Sequence, residues 1–213
     1  MSMTIASQYL DHSQSYPEYR EMIDALLAQQ KTTGDNHRPD MLEYTQLNVR
    51  RMKRLEKTTR LTEASLDLLR QIDRPLLWLA ITEAWCGDAA QILPVLYKMA
   101  EQASRVELRT ILRDEHPELM DAFLTDGARS IPKLIVIDAE TCTILGDWGP
   151  RPAEAQTMVM AMKKALQGME DPEARKARYR ESQNELHRWY AHDKTQSIQR
   201  EFNAQLRELL VTA

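Results

Sequence analysis

The residue with the clearest chemical potential is Cys86, which lies in the segment Glu83-Ala84-Trp85-Cys86-Gly87-Asp88-Ala89. The apolar run over residues 75–82 predicts a buried strand before this segment, and the apolar spacing over 88–103 predicts a helix after it. Cys86 is therefore expected at a helix N-terminus, where free N–H groups and the helix dipole favour a thiolate. Because Asp88 is a nearby anion that opposes this effect, we expect only a modest decrease of the thiol pKa below its free value.

The chain has one other cysteine, Cys142, and two cysteines cannot form a disulfide framework, so a reducing, cytoplasmic setting is expected. Cys142 starts a predicted return strand over residues 142–145, which follows the predicted strand over residues 134–137 and its turn. At about 3.3 Å per residue of strand, it should lie about 15 Å from the end of the sheet that holds Cys86. A disulfide needs Cα atoms within about 7 Å. We therefore interpret Cys142 as structural or incidental.

The composition argues against several functional classes. The net charge of −4 gives no general attraction to nucleic acids or to anionic membranes. We find no apolar run close to the roughly 18 residues of a membrane span and no signal peptide in the first 17 residues. The five histidines have no cysteine or glutamate partner at metal-ligand spacing, so we expect no metal. We also expect no bound cofactor.

The pattern of apolar residues divides the chain into three segments. Residues 1–60 show helical spacing and form an N-terminal extension. One side of its second helix is basic, and we interpret this side as a solvated face, because the aromatic stacking groups of a nucleic-acid site are missing; its residues are Arg50, Arg51, Lys53, Arg54 and Lys57. Residues 61–168 alternate between helix and strand, which predicts an α/β domain with a four-stranded mixed sheet covered by helices.

Residues 169–213 form a strongly charged helical extension. Its apolar seam must be buried against something, and two candidates stay open, the N-terminal helices and a second copy in a homodimer. The seam has two parts, the first Leu186, Trp189 and Tyr190 and the second Ile198, Phe202, Leu206 and Leu209.

The middle segment resembles the thioredoxin family at several independent positions. Trp85 precedes Cys86 as in the family's Trp-Cys-Gly-Pro-Cys, and Pro94 matches the family's helix-kinking proline. Ser130-Ile131-Pro132 precedes a predicted strand, as the family's cis-proline does. With both extensions, the chain is similar to a bacterial group of thioredoxin-like proteins that bear Trp-Cys-Gly-Asp-Ala. The resemblance implies a thioredoxin-like fold in which Cys86 faces a cis Pro132.

The chain departs from the family pattern at three positions that matter for dithiol chemistry. Ala89 stands where the second cysteine belongs, Asp88 where the family has proline, and Ala80 where it has a buried aspartate. A dithiol enzyme attacks with one thiolate and releases the mixed disulfide with the other. Cys86 has no such partner in the motif, so the sequence indicates that this chain is not a standard dithiol thioredoxin.

The resemblance also implies substrate-binding residues around Cys86. Trp85, Gly87 and Asp88 belong to the motif itself, whereas Ile131 and Pro132 would offer backbone groups to an extended peptide. Trp148 and Arg151 would line a groove beside Cys86, with Arg151 binding a carboxylate or phosphate. Structural alternatives stay open for these residues, namely a buried cysteine, a turn at Pro132, a packed tryptophan and a helix-entry arginine.

Two classes of function follow. In the first, Cys86 carries out monothiol thiol–disulfide exchange or redox sensing with protein or small-molecule thiols and disulfides. A low-molecular-weight thiol such as glutathione would then be the co-substrate that resolves the adduct. In the second, the chain is a non-catalytic binding module that recognises a peptide or protein through Pro132 and Trp148.

Overall fold

The computed structural model describes residues 3–212. Helices and strands alternate through the middle of the chain, and helices dominate both ends. The helices are α1 (Ser7–Asp11), α2 (Tyr16–Ala28), α3 (Pro39–Thr58), α4 (Glu63–Arg70), α5 (Ala89–Glu101), α6 (Pro117–Asp121), α7 (Ala153–Leu166), α8 (Pro172–Asp193) and α9 (Gln196–Thr212). The strands are β1 (Gln14–Ser15), β2 (Leu76–Thr82), β3 (Val106–Leu112), β4 (Lys133–Asp138) and β5 (Ile144–Trp148).

The sheet is mixed and has the strand order β1-β3-β2-β4-β5. β2 and β3 are parallel, whereas the β2–β4, β4–β5 and β1–β3 pairs are antiparallel. All seven residues of β2 are buried, as the unbroken apolar run requires of a central strand. The expected α/β fold with helical extensions is confirmed.

The sheet differs from the expected four strands in one respect, because the N-terminal extension adds β1 at the edge. β1 has only two residues, and Gln14 and Ser15 pair with Thr110 and Arg109 of β3. A strand of two polar residues has no apolar alternation, so nothing in its own sequence indicates it.

The strand after β4 also starts later than expected. The sequence predicts a return strand over residues 142–145, but β5 begins at Ile144. Cys142 has a φ of 57° and therefore belongs to the turn, since this left-handed conformation does not occur within a regular strand.

Both helical extensions pack on the core of the same chain. In the N-terminal extension, Tyr16 and Arg20 of α2 donate hydrogen bonds of 2.7 and 2.8 Å to Glu56 of α3. In the C-terminal extension, the ring of Phe202 from α9 meets Trp78 of β2 edge-on, with centroids 4.8 Å apart. The apolar seam of α9 is fully buried; its members Ile198, Phe202 and Leu206 are each 0% exposed.

Within residues 3–212, no helix is both long enough and apolar enough to cross a bilayer.

Candidate functional site

Cys86 lies between the carboxyl end of β2 and the first residue of α5. The backbone N–H of Ala89 points at its Sγ from 3.5 Å. On the other side, the thiol donates a hydrogen bond of 3.3 Å to the carbonyl oxygen of Ile131, the residue before a cis peptide bond to Pro132. The sulfur therefore lies at the start of a helix and against the loop that leads into β4.

Burial dominates the electrostatics of this thiol. Cys86 is only 8% exposed. Burial and then the charge of Asp88 raise the pKa of the thiol to about 12, although the Ala89 N–H and Arg151 act in the opposite direction. The expected modest decrease of the pKa is therefore wrong, because the loss of hydration outweighs the favourable helix N-terminus.

Asp88 is held by an arginine and a tyrosine that are distant in sequence. Arg151 donates from Nε and Nη2 to Oδ2 at 2.9 and 2.8 Å, and Tyr190 of α8 donates from its hydroxyl to Oδ1 at 2.6 Å. Arg151 also donates to Gln156 of α7. The resemblance implied that Arg151 binds a substrate anion, but Arg151 binds a carboxylate of the chain itself. Asp88, in turn, does not cap its own helix.

A cavity of about 320 Å³ lies over Cys86, between helices α3, α7 and α8. Its floor is the reactive-site motif, and its walls combine apolar and polar side chains. The floor consists of Trp85, Cys86, Gly87 and Asp88, and the walls include Tyr44, Asn48, Arg51, Arg151, Val159, Met162, Tyr179, Gln183, Leu186 and His187. We refer to this cavity as the Cys86 cleft.

Two polar residues of α3 line the cleft and were not among the expected site residues. Asn48 donates a hydrogen bond of 2.9 Å to the carbonyl of Ala84 and accepts one of 2.9 Å from Nη1 of Arg51. The interpretation of Arg51 as part of a solvated face is wrong, since it is half-buried and lines the cleft. The signal in the sequence is weak but present, because Tyr44, Asn48 and Arg51 follow the four- and three-residue spacing of a single helix face.

His187 of α8 faces Arg51 across the floor of the cleft. A Cβ atom on Gly87 would lie 3.5 Å from Cε1 of His187 and 3.6 Å from Nη1 of Arg51. Burial, followed by the charge of Arg51, lowers the pKa of His187 to about 4, so the imidazole is neutral near pH 7. The residues near its ring come from α3 and from the motif, 100 or more positions earlier in the chain, so spacing within α8 does not reveal them.

The expected site residues separate into two groups. Trp85, Gly87, Asp88 and Arg151 line the cleft with Cys86. The ring of Trp85 also stacks under Arg113, whose Cζ lies 4.8 Å from the ring centroid.

Pro132 and Trp148 do not line the cleft. Trp148 packs against Phe202 of α9 with ring centroids 5.7 Å apart, because α9 covers the part of the sheet that contains β5. Of the two residues expected to line a groove beside Cys86, Trp148 and Arg151, only Arg151 lines the cavity over the sulfur, whose walls come from α3, α7 and α8. Ile131 contributes its carbonyl to the Cys86 thiol and is otherwise buried.

Cys142 lies away from this site. Its carbonyl accepts a hydrogen bond of 2.9 Å from the N–H of Ile5. β4 begins at Lys133, next to the loop that contacts Cys86, and ends at Asp138, shortly before Cys142. The two cysteines are thus at opposite ends of β4, and both are free thiols. In the part of the chain that is described, no three His, Cys, Asp or Glu side chains converge as a metal site would require.

Comparison with known proteins agrees with this geometry. A family model described as Thioredoxin matches residues 34–165, more than half of the chain. The chain belongs to the thioredoxin-like superfamily. Its thioredoxin-like domain carries the Cys86 motif at the end of β2, and the matched range extends into the N-terminal helices to include all of α3.

Two solved structures are similar to the whole chain. One is a Pseudomonas aeruginosa protein of unknown function, with a TM-score of 0.54 and 21% identity, covering 92% of this chain and 98% of its own. The other is an HIV epitope-scaffold, with a TM-score of 0.51 and 20% identity, covering 94% of this chain and 99% of its own. At these identities the likeness shows the fold alone. No curated protein matches the sequence.

Proposed function

We propose that this thioredoxin-like protein acts through the thiol of Cys86, which forms a mixed disulfide by exchange with a small disulfide in the Cys86 cleft. The observation that carries the proposal is the position of the sulfur. It contacts the loop before Pro132 through a 3.3 Å hydrogen bond to Ile131 and, at the same time, lines a cavity of about 320 Å³.

The proposed reaction is one thiol–disulfide exchange. The Cys86 thiolate attacks one sulfur of a small disulfide, the S–S bond breaks, and the departing thiolate takes up the proton that Cys86 released. The products are a Cys86 mixed disulfide and one small thiol, without net oxidation or reduction. Because Ala89 replaces the resolving cysteine, a second small thiol must attack the mixed disulfide to restore Cys86.

The cleft favours a small reactant over a protein. Helices α3 and α8 border it, and Tyr44 and Tyr179, each 38% exposed, are its most accessible side chains. Its volume of about 320 Å³ is at the low end of the roughly 300–1,000 Å³ typical of small-molecule sites. A glutathione-sized thiol fits this setting better than a folded protein with an exposed disulfide.

One observation favours the second candidate function, a non-catalytic binding module. The thiol donates to Ile131, and burial raises its pKa to about 12, so the resting group is a neutral thiol. Only the thiolate is nucleophilic, which makes exchange slow. In this candidate the cleft holds a small ligand without a covalent bond.

Intact mass after incubation with oxidised glutathione at mildly alkaline pH separates the two candidates. The folded wild-type protein should gain one glutathione, which peptide mapping assigns to Cys86 and which dithiothreitol removes. Cys142→Ser is the matched control and should gain the same adduct, whereas Cys86→Ser should gain none on the motif peptide. A wild-type protein that gains a Cys86 adduct only after unfolding in urea would contradict the proposal and favour the binding module.

A further inference from the structure

The wall of the Cys86 cleft carries the cation Arg51, whose pKa burial lowers to about 10 although the charge of Asp88 acts in the opposite direction. Arg51 is half-buried, yet among residues 3–212 it forms no ion pair. Its one hydrogen bond in that range joins Nη1 to Asn48, although a guanidinium has five N–H donors. Arg151, the other arginine of the cleft, is by contrast fully engaged by Asp88 and Gln156.

A second polar group beside Arg51 is also unsatisfied. Nδ1 of His187 is buried and finds no hydrogen-bond partner in the described part of the chain. The His187 ring and the Arg51 guanidinium both come within 3.5–3.6 Å of the Cβ position of Gly87, the residue next to Cys86. Buried polar groups and charges are normally paired, so the cleft presents a cation and a neutral imidazole that together suit an anion.

We propose that the compound entering the Cys86 cleft is a small thiol or disulfide that carries a carboxylate, which Arg51 and His187 bind while its sulfur faces Cys86. This inference rests on the proposed function, because it names the class of compound that exchanges with the same thiol. Arg51 supplies charge and bidentate geometry, and the neutral imidazole supplies an N–H in the matching tautomer. Arg51 and His187 lie beside Gly87, the neighbour of Cys86, so a short ligand can bind them with its carboxylate and still reach the Cys86 sulfur.

The experiment compares three small disulfides of similar size and different charge. Dithiodiglycolate is anionic, 2-hydroxyethyl disulfide is neutral and cystamine is cationic. The rate at which each forms a Cys86 adduct is followed by intact mass on a Cys142→Ser background. Each rate is divided by the rate of the same disulfide with N-acetylcysteine amide, a neutral model thiol, which removes differences in intrinsic reactivity.

After this normalisation, the anionic disulfide should react about tenfold faster than the neutral one, as one charge-assisted hydrogen bond would give, and the cationic one more slowly still. Arg51→Gln should remove this preference, so that the anionic and neutral disulfides react at equal normalised rates. Arg51→Lys should keep part of the preference for the anionic disulfide, because lysine retains the positive charge but cannot bind a carboxylate in the bidentate geometry of arginine. The matched control is Arg50→Gln, since Arg50 is the exposed neighbour on α3 and does not line the cleft.

The possible failures are distinguishable. Equal normalised rates for the three disulfides in the wild type would overturn the carboxylate proposal and leave the proposed function standing. An Arg51→Gln variant that slows all three rates alike would also overturn it, because Arg51 would then act on the structure of the cleft. If no disulfide forms a Cys86 adduct in the folded protein, the proposed function fails, and this inference fails with it.

Discussion

Asp88 controls the charge around Cys86 and joins three parts of the chain. Its carboxylate lies at the start of α5, is bound by Arg151 from the loop before α7, and accepts a 2.6 Å hydrogen bond from Tyr190 of α8. The carboxylate raises the pKa of Cys86 and the guanidinium lowers it, after the larger effect of burial. The two partners of one ion pair thus shift the pKa of the Cys86 thiol in opposite directions.

Substitution of either partner should therefore move the thiol pKa in opposite directions. Asp88→Asn removes the nearby anion and leaves the Arg151 cation, so the pKa should fall; Arg151→Gln does the reverse, so it should rise. Each change also breaks a largely buried pair and should cost about 3–5 kcal/mol of stability. The rate of iodoacetamide alkylation of Cys86 against pH measures both shifts, in variants shown to be folded by circular dichroism.

The wild-type profile provides the reference for this measurement. Because the thiol has a pKa of about 12, its alkylation rate should rise about tenfold for each pH unit from neutral to pH 10 without a plateau. If both variants shifted the profile in the same direction, a general loosening of the site would explain them, and the electrostatic account would be wrong.

The motif around Cys86 could be recognised from the sequence, but the state of its thiol could not. Strand, turn and helix start are local features, and the residue types from Trp85 to Asp88 identify them. The burial that raises the thiol pKa depends on side chains such as Leu186 and His187, which line the cleft over Cys86 from about 100 positions away. The local sequence pattern around Cys86 does not indicate which distant side chains exclude water from its sulfur.

At the level of secondary-structure elements, α8 decides how accessible the cleft is. Most of its surface is charged and exposed, and its buried residues are Ser182, Leu186 and Tyr190, spaced four apart on one face. Leu186 is 4% exposed and lines the cleft, and Tyr190 binds Asp88. The same narrow seam therefore attaches α8 to the domain and closes one side of the site.

Truncation of this seam should open the cleft. Leu186→Ala should destabilise the protein by about 2–5 kcal/mol, as for other buried leucines, and should also increase the rate of Cys86 alkylation in the native state, because α8 loosens over the sulfur. The matched control is Leu209→Ala on α9. Leu209 is 7% exposed and packs against Gly146 of β5, away from the cleft.

Urea unfolding and native-state alkylation of the two variants give the comparison. We expect similar losses of stability and a faster alkylation only in Leu186→Ala. Equal alkylation rates in the two variants would mean that α8 does not limit access to Cys86.

The elements themselves were predictable where their pattern is local. The apolar run of β2 and the amphipathic α5 follow from the sequence because each buries a continuous or periodic set of side chains. β1 was not predictable, since its two polar residues become a strand only by pairing with β3. The burial of the α8 seam was predictable, but the elements that cover it were not. An apolar seam indicates that one face of a helix is buried and does not indicate which part of the protein packs against it.

For the whole molecule, the two helical extensions change what a thioredoxin-like domain exposes. α3 and α8 lie on either side of the motif, and the cleft of about 320 Å³ between them gives access to Cys86. α9 covers Trp148 and packs on the sheet. At this scale we therefore propose that the Cys86 thiol exchanges with small compounds and is closed to protein disulfides.

The most direct measurement of this claim incubates the folded protein with oxidised glutathione and, separately, with insulin, and follows covalent adducts of Cys86 by non-reducing electrophoresis and intact mass. The urea-unfolded protein is the control and should react with both, since its thiol is exposed. The folded protein should form the glutathione adduct and neither reduce insulin nor form a mixed disulfide with it. A Cys86–insulin disulfide that forms as fast as the glutathione adduct, or the absence of both adducts, would contradict the account.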